Sequence, residues 1–274
     1  MKKIIPAILS LFAATASFAQ QGLENIIVEK YYISDTADAR SPGGGFLPPG
    51  SVTWRIYVDM LPDYKFHAAY GVPGHDLIIS TSTSFFNNES YGSAAANEIS
   101  ASTLPHNTVM LDSWLSVGAA SSGHFGIPKS NDNEKYTILN SDGILKSQNP
   151  LAGIPLTSCD GLLKAFPQLA VTFYAIDSAM LQLFGNKNSP LIGQTFFTAN
   201  GSWASFGGAA GPDSSNKVLI AQLTTDGDLH FELNIQIGKG QDIIQNYVAR
   251  NPVDNEIHFP VLIFNSNPAS QPKN

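Results

Sequence analysis

The sequence is poor in cysteine, in charge and in long apolar runs, and each shortage excludes something. Cys159 is the single cysteine in 274 residues, so no internal disulfide can form. A chain of this length buries enough surface to fold without one. Cys159 lies in Leu156-Thr157-Ser158-Cys159-Asp160-Gly161 with no basic neighbour, whereas a catalytic thiolate needs a positive charge or a histidine beside it. The expectation is a small, half-buried, unreactive side chain. Basic residues are the minority, 15 against 22 acidic, for a net charge of −7. Such a chain repels phosphate backbones and is not drawn to anionic lipid, which argues against nucleic acid and membrane surfaces as partners. No run after the N-terminus approaches the roughly 20 apolar residues that a transmembrane helix requires. Gly-x-Ser-x-Gly, the nucleophile elbow of α/β-hydrolases, does not occur, nor does His-Glu-x-x-His, the zinc-binding helix of many metalloproteases.

What is present begins with an export signal. Lys2 and Lys3 precede an apolar stretch from Ile4 to Phe12, and Ala13 to Ala19 is rich in small residues. Ser17 and Ala19 occupy positions −3 and −1 of a cut between Ala19 and Gln20, where signal peptidase accepts only small side chains. The apolar stretch is too short for a membrane anchor. Residues 1–19 are therefore expected to be a signal peptide, and the remainder an exported protein of the periplasm, cell surface or medium.

The remainder reads as strands and turns. Gly (23) and Pro (17) are abundant while charged residues are 14% of the chain, a poor composition for long amphipathic helices. Val52, Trp54, Ile56 and Val58 alternate with Thr53, Arg55, Tyr57 and Asp59, which predicts a strand with one face toward a core and the other outward. Strands are also expected at 25–33, 64–70, 77–86, 108–117, 170–176, 217–225 and 256–264. The stretch 229–237 alternates through Leu229, Phe231, Leu233, Ile235 and Ile237 on one face and His230, Glu232, Asn234 and Gln236 on the other. Asp226-Gly227 between two such runs predicts a β-hairpin. Ser41–Gly50 must be loop, and 118–161 reads as long loops with short strands. Helical turns are expected at 161–165 and 241–249, and 178–184 fits either strand or helix. The predicted fold is all-β, a β-sandwich or jelly-roll-like domain over 20–264 with long loops and at most short helices, followed by a polar tail at 265–274.

An internal duplication is one reading of the pattern. Asn107-Thr108-Val109-Met110-Leu111 ends at Gly118, and Asn216-Lys217-Val218-Leu219-Ile220 ends at Gly227 with the same spacing. Two similar halves, about 50–120 and 165–230, would each bury an apolar face on the other. Coincidence among short strands of similar composition is the alternative.

Candidate chemistry is sparse. His230 and Glu232 share a strand face and could offer a nitrogen and an oxygen to a metal, but two ligands are not a site; a polar sheet face reads the same way. Asp35-Thr36-Ala37-Asp38 and Asn131-Asp132-Asn133-Glu134 are oxygen-rich loops that suit calcium, without the spacing of an EF-hand. No other cofactor is expected. Asp59, Asp63, Asp76, Asp112, Asp177 and Glu232 are available for glycoside hydrolysis, which needs two facing carboxylates. For sugar binding the aromatic candidates are Trp54, Trp114 and Trp203. Trp54 falls on the apolar face of its strand, whereas Trp203 stands beside turn residues and is the expected exposed binding residue. Asn88-Glu89-Ser90 and Asn200-Gly201-Ser202 match the N-glycosylation pattern. Asp35-Thr36-Ala37 and Asp177-Ser178-Ala179 resemble acceptor motifs of an O-glycosylation system of some Gram-negative bacteria.

Several phrases carry a family resemblance: Val52-Thr53-Trp54-Arg55-Ile56-Tyr57-Val58-Asp59, Ala69-Tyr70-Gly71, Ser84-Phe85-Phe86-Asn87, Leu111-Asp112-Ser113-Trp114-Leu115-Ser116-Val117-Gly118, and Asn216 to Gly227. Over most of 22–264 the chain resembles a group of uncharacterised secreted bacterial proteins, some with a C-terminal surface-sorting domain. The resemblance implies a cell-surface or extracellular setting and no activity. The leading expectation is a non-catalytic secreted protein that binds a glycan or protein at a cell surface. A secreted hydrolase of polysaccharide or ester bonds is the alternative, and a subunit of an extracellular matrix or filament a third.

Overall fold

In a computed structural model, residues 21–40, 43–134, 145–164, 170–185, 187–188, 193–240 and 243–268 are described. The segment expected to be a signal peptide, with Ala19 and Gln20, lies outside them, as do the residues from 269 on. The fold is all-β. Its longer strands are β1 (Leu23–Ile33), β2 (Val52–Met60), β3 (Tyr64–Gly71), β4 (Leu77–Thr81), β11 (Gly201–Ala209), β12 (Lys217–Thr225), β14 (Ile235–Lys239) and β15 (Ile243–Val248). Shorter ones are β5 (Trp114–Leu115), β6 (Ala119–Ser121), β7 (His124–Gly126), β8 (Leu162–Lys164), β9 (Thr172–Tyr174), β10 (Thr195–Thr198), β13 (Leu229–Glu232), β16 (Ile257–His258) and β17 (Ile263–Asn265). The α-helix among the described residues, α1 (Ser178–Leu181), is a single turn capped by Asp177, whose carboxylate accepts from the Ala179 amide.

Among the described residues, four sheets run β1-β2-β12-β5, β10-β4-β13-β17, β16-β15-β14-β3-β11-β9 and β6-β7-β8. In the first, the inner strands β2 and β12 are buried on both faces. Trp54, Ile56 and Val58 of β2 and Val218, Ile220 and Leu223 of β12 join a large core with β3, β4, β13 and β14. Tyr57 of β2 and Leu219 of β12 face a second core built from Tyr31, Tyr32, Met110, Trp114, Leu156 and Leu162. The outward face predicted for Thr53, Arg55 and Tyr57 is therefore a second interior: all three are buried beneath residues drawn from 96–120 and 145–162. Their polar groups are matched one by one. Arg55 donates from Nε to Gln222 Oε1 at 2.8 Å and from Nη1 to the Gly161 carbonyl at 3.0 Å. Gln222 Nε2 donates to the carbonyls of Met110 and Asp112. Buried polar groups are tolerated when they are paired in this way.

Several connections differ from the sequence pattern, each for a local reason. Asp226-Gly227 does not close a hairpin, because β12 and β13 belong to different sheets. Thr225 Oγ1 lies 2.7 Å from Thr81 Oγ1, Thr83 donates to Asp226 Oδ1, and a Cβ on Gly227 would fall within 2.5–2.8 Å of the hydroxyls of Thr83, Ser82 and Thr81. The glycine admits that close packing, and the turn carries the chain from one layer to the next. The run 229–237 likewise splits into β13 and β14 at buried Asn234. Its Nδ2 donates to the carbonyls of Tyr70, His75 and Asp76, and its Oδ1 accepts from the Ala249 amide. The stretch expected to turn helical at 241–249 contains β15, whose pairing with β14 outweighs its weak helical pattern. Residues 162–164 are strand rather than helical turn, held by β7. In 256–264, Pro260 starts a 3-10 turn that separates β16 from β17.

The two segments offered as a repeat take different courses. Val109–Leu111 is a 3-10 turn followed by the two-residue β5, whereas Lys217–Thr225 is one nine-residue strand. What they share is the opening asparagine in a left-handed turn, Asn107 at φ 50° and Asn216 at φ 47°.

Candidate functional site

The six-stranded sheet turns one face to the core and the other outward. Along each strand the period of two decides which residues point out, except at His67 of β3, where a bulge skips one residue. On β3, Phe66 and Ala69 are buried while Ala68 and Tyr70 face out; on β11, Trp203 is buried while Ser202 and Ala204 face out. Register then aligns the outward residues in two rows. Tyr174, Ser202 and Tyr70 stand opposite one another on β9, β11 and β3. Thr172, Ala204, Ala68, Gln236 and Asn246 do the same across β9, β11, β3, β14 and β15.

The rows form a groove of about 380 Å³ lined by Ala68, Tyr70, Val72, Ser202, Gln236, Asn246 and Glu256. Small side chains at Ala68, Ala204 and Ser202 leave the floor low, and longer ones form its sides. Gln236 Nε2 donates to Asn246 Oδ1 at 3.0 Å, which leaves Gln236 Oε1 and Asn246 Nδ2 to serve as acceptor and donor at the groove. Glu256 is the one carboxylate among these lining residues. It is fixed by His75 Nε2 at 2.9 Å, with both side chains largely buried. The Tyr70 hydroxyl is buried without a hydrogen-bond partner. Its burial, with the charge of Glu256 nearby, pushes its pKa up to about 12, so it is a neutral donor at any physiological pH. Such an arrangement offers uncharged donors and acceptors beside an aromatic ring, the composition of a binding groove.

A second cavity, of about 450 Å³, lies between β1 and residues 151–154 and is bordered by Glu29, Lys30, Trp54 and Lys129. Lys129 is buried, and its Nζ donates to the carbonyls of Tyr31, Ala152 and Ile154 at 2.6–2.8 Å. All three donors of the ammonium are thereby used, so the lysine ties the loop to β1 rather than facing a ligand.

The residues singled out from sequence fall elsewhere. Trp203, expected to be exposed, is 0% exposed and sits in the main core edge-on to Phe196. It occupies the inward phase of β11, so it offers no surface for a sugar. Trp54 and Trp114 are buried as well. In the oxygen-rich loops, Asp38 Oδ2 accepts from the Tyr32 hydroxyl and the Asp35 amide, while Asp132 accepts from the amides of Glu134 and Gly161. These carboxylates hold turns together. Among the described residues no group of three or more His, Cys, Asp or Glu is placed to hold a metal. Glu232 is bound in bidentate fashion by Arg250, at 2.7 and 2.8 Å, with His230 3.6 Å away. That contact holds its carboxyl below the usual range. Asp112 is buried, accepting from the Asn88 and Ser93 amides. Cys159 is half-buried, and burial with nearby Asp132 and Asp160 raises its thiol pKa, the opposite of activation. Asn88 is buried with its amide on Thr108 Oγ1, while Asn200, Thr36 and Ser178 are exposed.

Sequence reasoning passed over Tyr70, Ser202, Asn246 and Glu256. Tyr70 and Ser202 carry a signal only as the outward members of alternating strands. Asn246 was hidden by the helical reading of 241–249, and Gln236 was seen as a polar face without its neighbours.

The chain matches no known family model, no curated protein and no solved structure. On the described residues, no helix is long and apolar enough to cross a membrane.

Proposed function

We propose that this is an exported, non-catalytic binding protein whose outer sheet groove holds a neutral glycan. The supporting observation is the alignment of Tyr174, Ser202 and Tyr70 beside Ala204, Ala68, Gln236 and Asn246. Sugars present hydroxyls that both donate and accept, together with C–H faces that stack on rings. Carboxamides, a hydroxyl and tyrosine rings above a low floor meet both needs. Acidic sugars are disfavoured by Glu256 in the groove and by the net charge of −7. A hydrolase acting through paired carboxylates would need a partner facing Glu256, and the other lining residues are uncharged. The test is a glycan array with the mature protein, followed by calorimetry on any hit. Binding to neutral glycans that Gln236→Ala weakens supports the proposal; an array without neutral hits, or hits indifferent to Gln236→Ala, overturns it.

A further inference from the structure

The register of β11 against β3 breaks between Ala204 and Ala209, which pair with Ala68 and Phe66. Four residues of β11, Ser205 to Gly208, thus stand opposite His67 alone. The bulge packs against Lys65 and His67 of β3. Lys65 Nζ reaches the Gly207 carbonyl at 3.5 Å, and a Cβ on Gly208 would lie 2.8 Å from the His67 ring. Gly207 and Gly208 adopt φ of 82° and 76°, values that other residues rarely take. Bulges of this kind re-aim a side chain beside functional sites. Here the displaced side chain is Phe206, which is 95% exposed. An isolated exposed apolar residue needs no explanation. This one is carried on a bulge whose two positive-φ positions are both glycine, on the strand that supplies Ser202 and Ala204 to the groove floor. Tyr174, 51% exposed, flanks the same floor on the neighbouring strand.

Resting on the glycan reading above, we infer that Phe206 is a second sugar-stacking position, so that the groove takes an extended neutral oligosaccharide rather than a single terminal sugar. Ser202 stands opposite Tyr70 and the bulge opposite His67; three residues along β3 span roughly 10 Å at most, more than one sugar ring, so Ser202 and Phe206 contact different units of one chain. His67 stands opposite the bulge, its ring between Gly208 and Gly238. Burial and Lys65 lower its pKa, so the ring adds no charge beside Phe206 at neutral pH.

The test is calorimetry on the mature chain with the di- to hexasaccharide series of β-1,4-glucose, α-1,4-glucose and β-1,4-mannose, for wild type, Phe206→Ala, Phe206→Trp and Gln236→Ala. In at least one series affinity is expected to rise about tenfold or more from disaccharide to hexasaccharide. Phe206→Ala removes that gain without changing disaccharide affinity, Phe206→Trp restores it, and Gln236→Ala weakens every length. Because Phe206 is exposed, its replacement leaves the melting temperature unchanged. A length dependence that survives Phe206→Ala overturns this inference and leaves the groove proposal standing. Loss with Phe206→Ala of a protein ligand instead of an oligosaccharide overturns it in favour of a protein-docking surface. No heat with any series for wild type overturns both.

Discussion

Gln236 donates its side-chain amide to Asn246 across the β14–β15 pair at 3.0 Å, on the open face of the six-stranded sheet. The bond fixes which atom each carboxamide turns to the groove, so the two act as one preset unit. Asn246→Ala is expected to lower glycan affinity about tenfold, by losing one direct contact and releasing Gln236 to rotate. Neither side chain is in the core, so the urea midpoint should move little. Calorimetry together with urea unfolding checks both halves. Equal losses of affinity and stability would mean that the pair is structural.

Asn234, two residues before Gln236, has the opposite role. Its side chain satisfies three carbonyls and one amide at the corner between β13 and β14. Asn234→Ala leaves these groups unpaired at a buried site, which is expected to cost about 3 kcal/mol. Asn234→Asp should be at least as damaging, because a carboxylate turns an acceptor toward three acceptors. Chemical denaturation measures the difference, and a loss below about 1 kcal/mol for either variant would contradict the corner's role.

How much of this was legible in the sequence depends on what each pattern reports. Alternation reports strands, and 23–33, 52–60, 64–71 and 217–225 are strands. Alternation does not report what covers the second face of a sheet. Arg55 and Thr53 read as solvent-facing because the residues packed over them, among them Leu111 and Gly161, are distant in sequence and loop-like. The groove was illegible for a related reason. It exists only through the register of five strands, and register is set by pairing, not by composition. Asp-Gly marks a turn but not which sheets the turn joins. That point is testable: the Cβ of Gly227→Ala would meet three hydroxyls, and overpacking of this kind costs about 2 kcal/mol. A simple exposed hairpin would tolerate alanine at well under 1 kcal/mol.

Lys129 gives stability a pH signature. Burial lowers its pKa from the ordinary 10.5 of lysine to about 8. Between these values the unfolded chain holds the proton and the folded one does not. Stability associated with Lys129 is therefore gained as pH rises from about 8 to about 10.5, and lost as pH falls back through that window. Lys129→Met abolishes this component. Urea unfolding of both proteins at pH 7.5, 9 and 10.5 should show the wild type gaining on the variant across the series. A constant difference would show that the ammonium keeps its ordinary pKa within its three-carbonyl cage.

The tryptophans allow a sharp discrimination between the groove and the residue that the sequence favoured. Trp54, Trp114 and Trp203 are 5%, 1% and 0% exposed. Native emission should therefore be blue-shifted, poorly quenched by acrylamide, and unaltered by saturating oligosaccharide. In the proposed site Tyr70 and Phe206 are the rings that meet the sugar, and neither emits at tryptophan wavelengths. If Trp203 were instead a stacking platform, sugar would shift or quench the emission, and Trp203→Phe would remove that response. In the buried arrangement Trp203→Phe takes away an indole N–H that lacks a partner. It also leaves a void in place of the larger ring. The two effects oppose each other, each at about 1–3 kcal/mol, so a modest net change in stability is expected with glycan affinity unaltered. A Trp203→Phe variant that folds with wild-type stability yet no longer binds sugar would put the site on this residue and remove it from the outer sheet face.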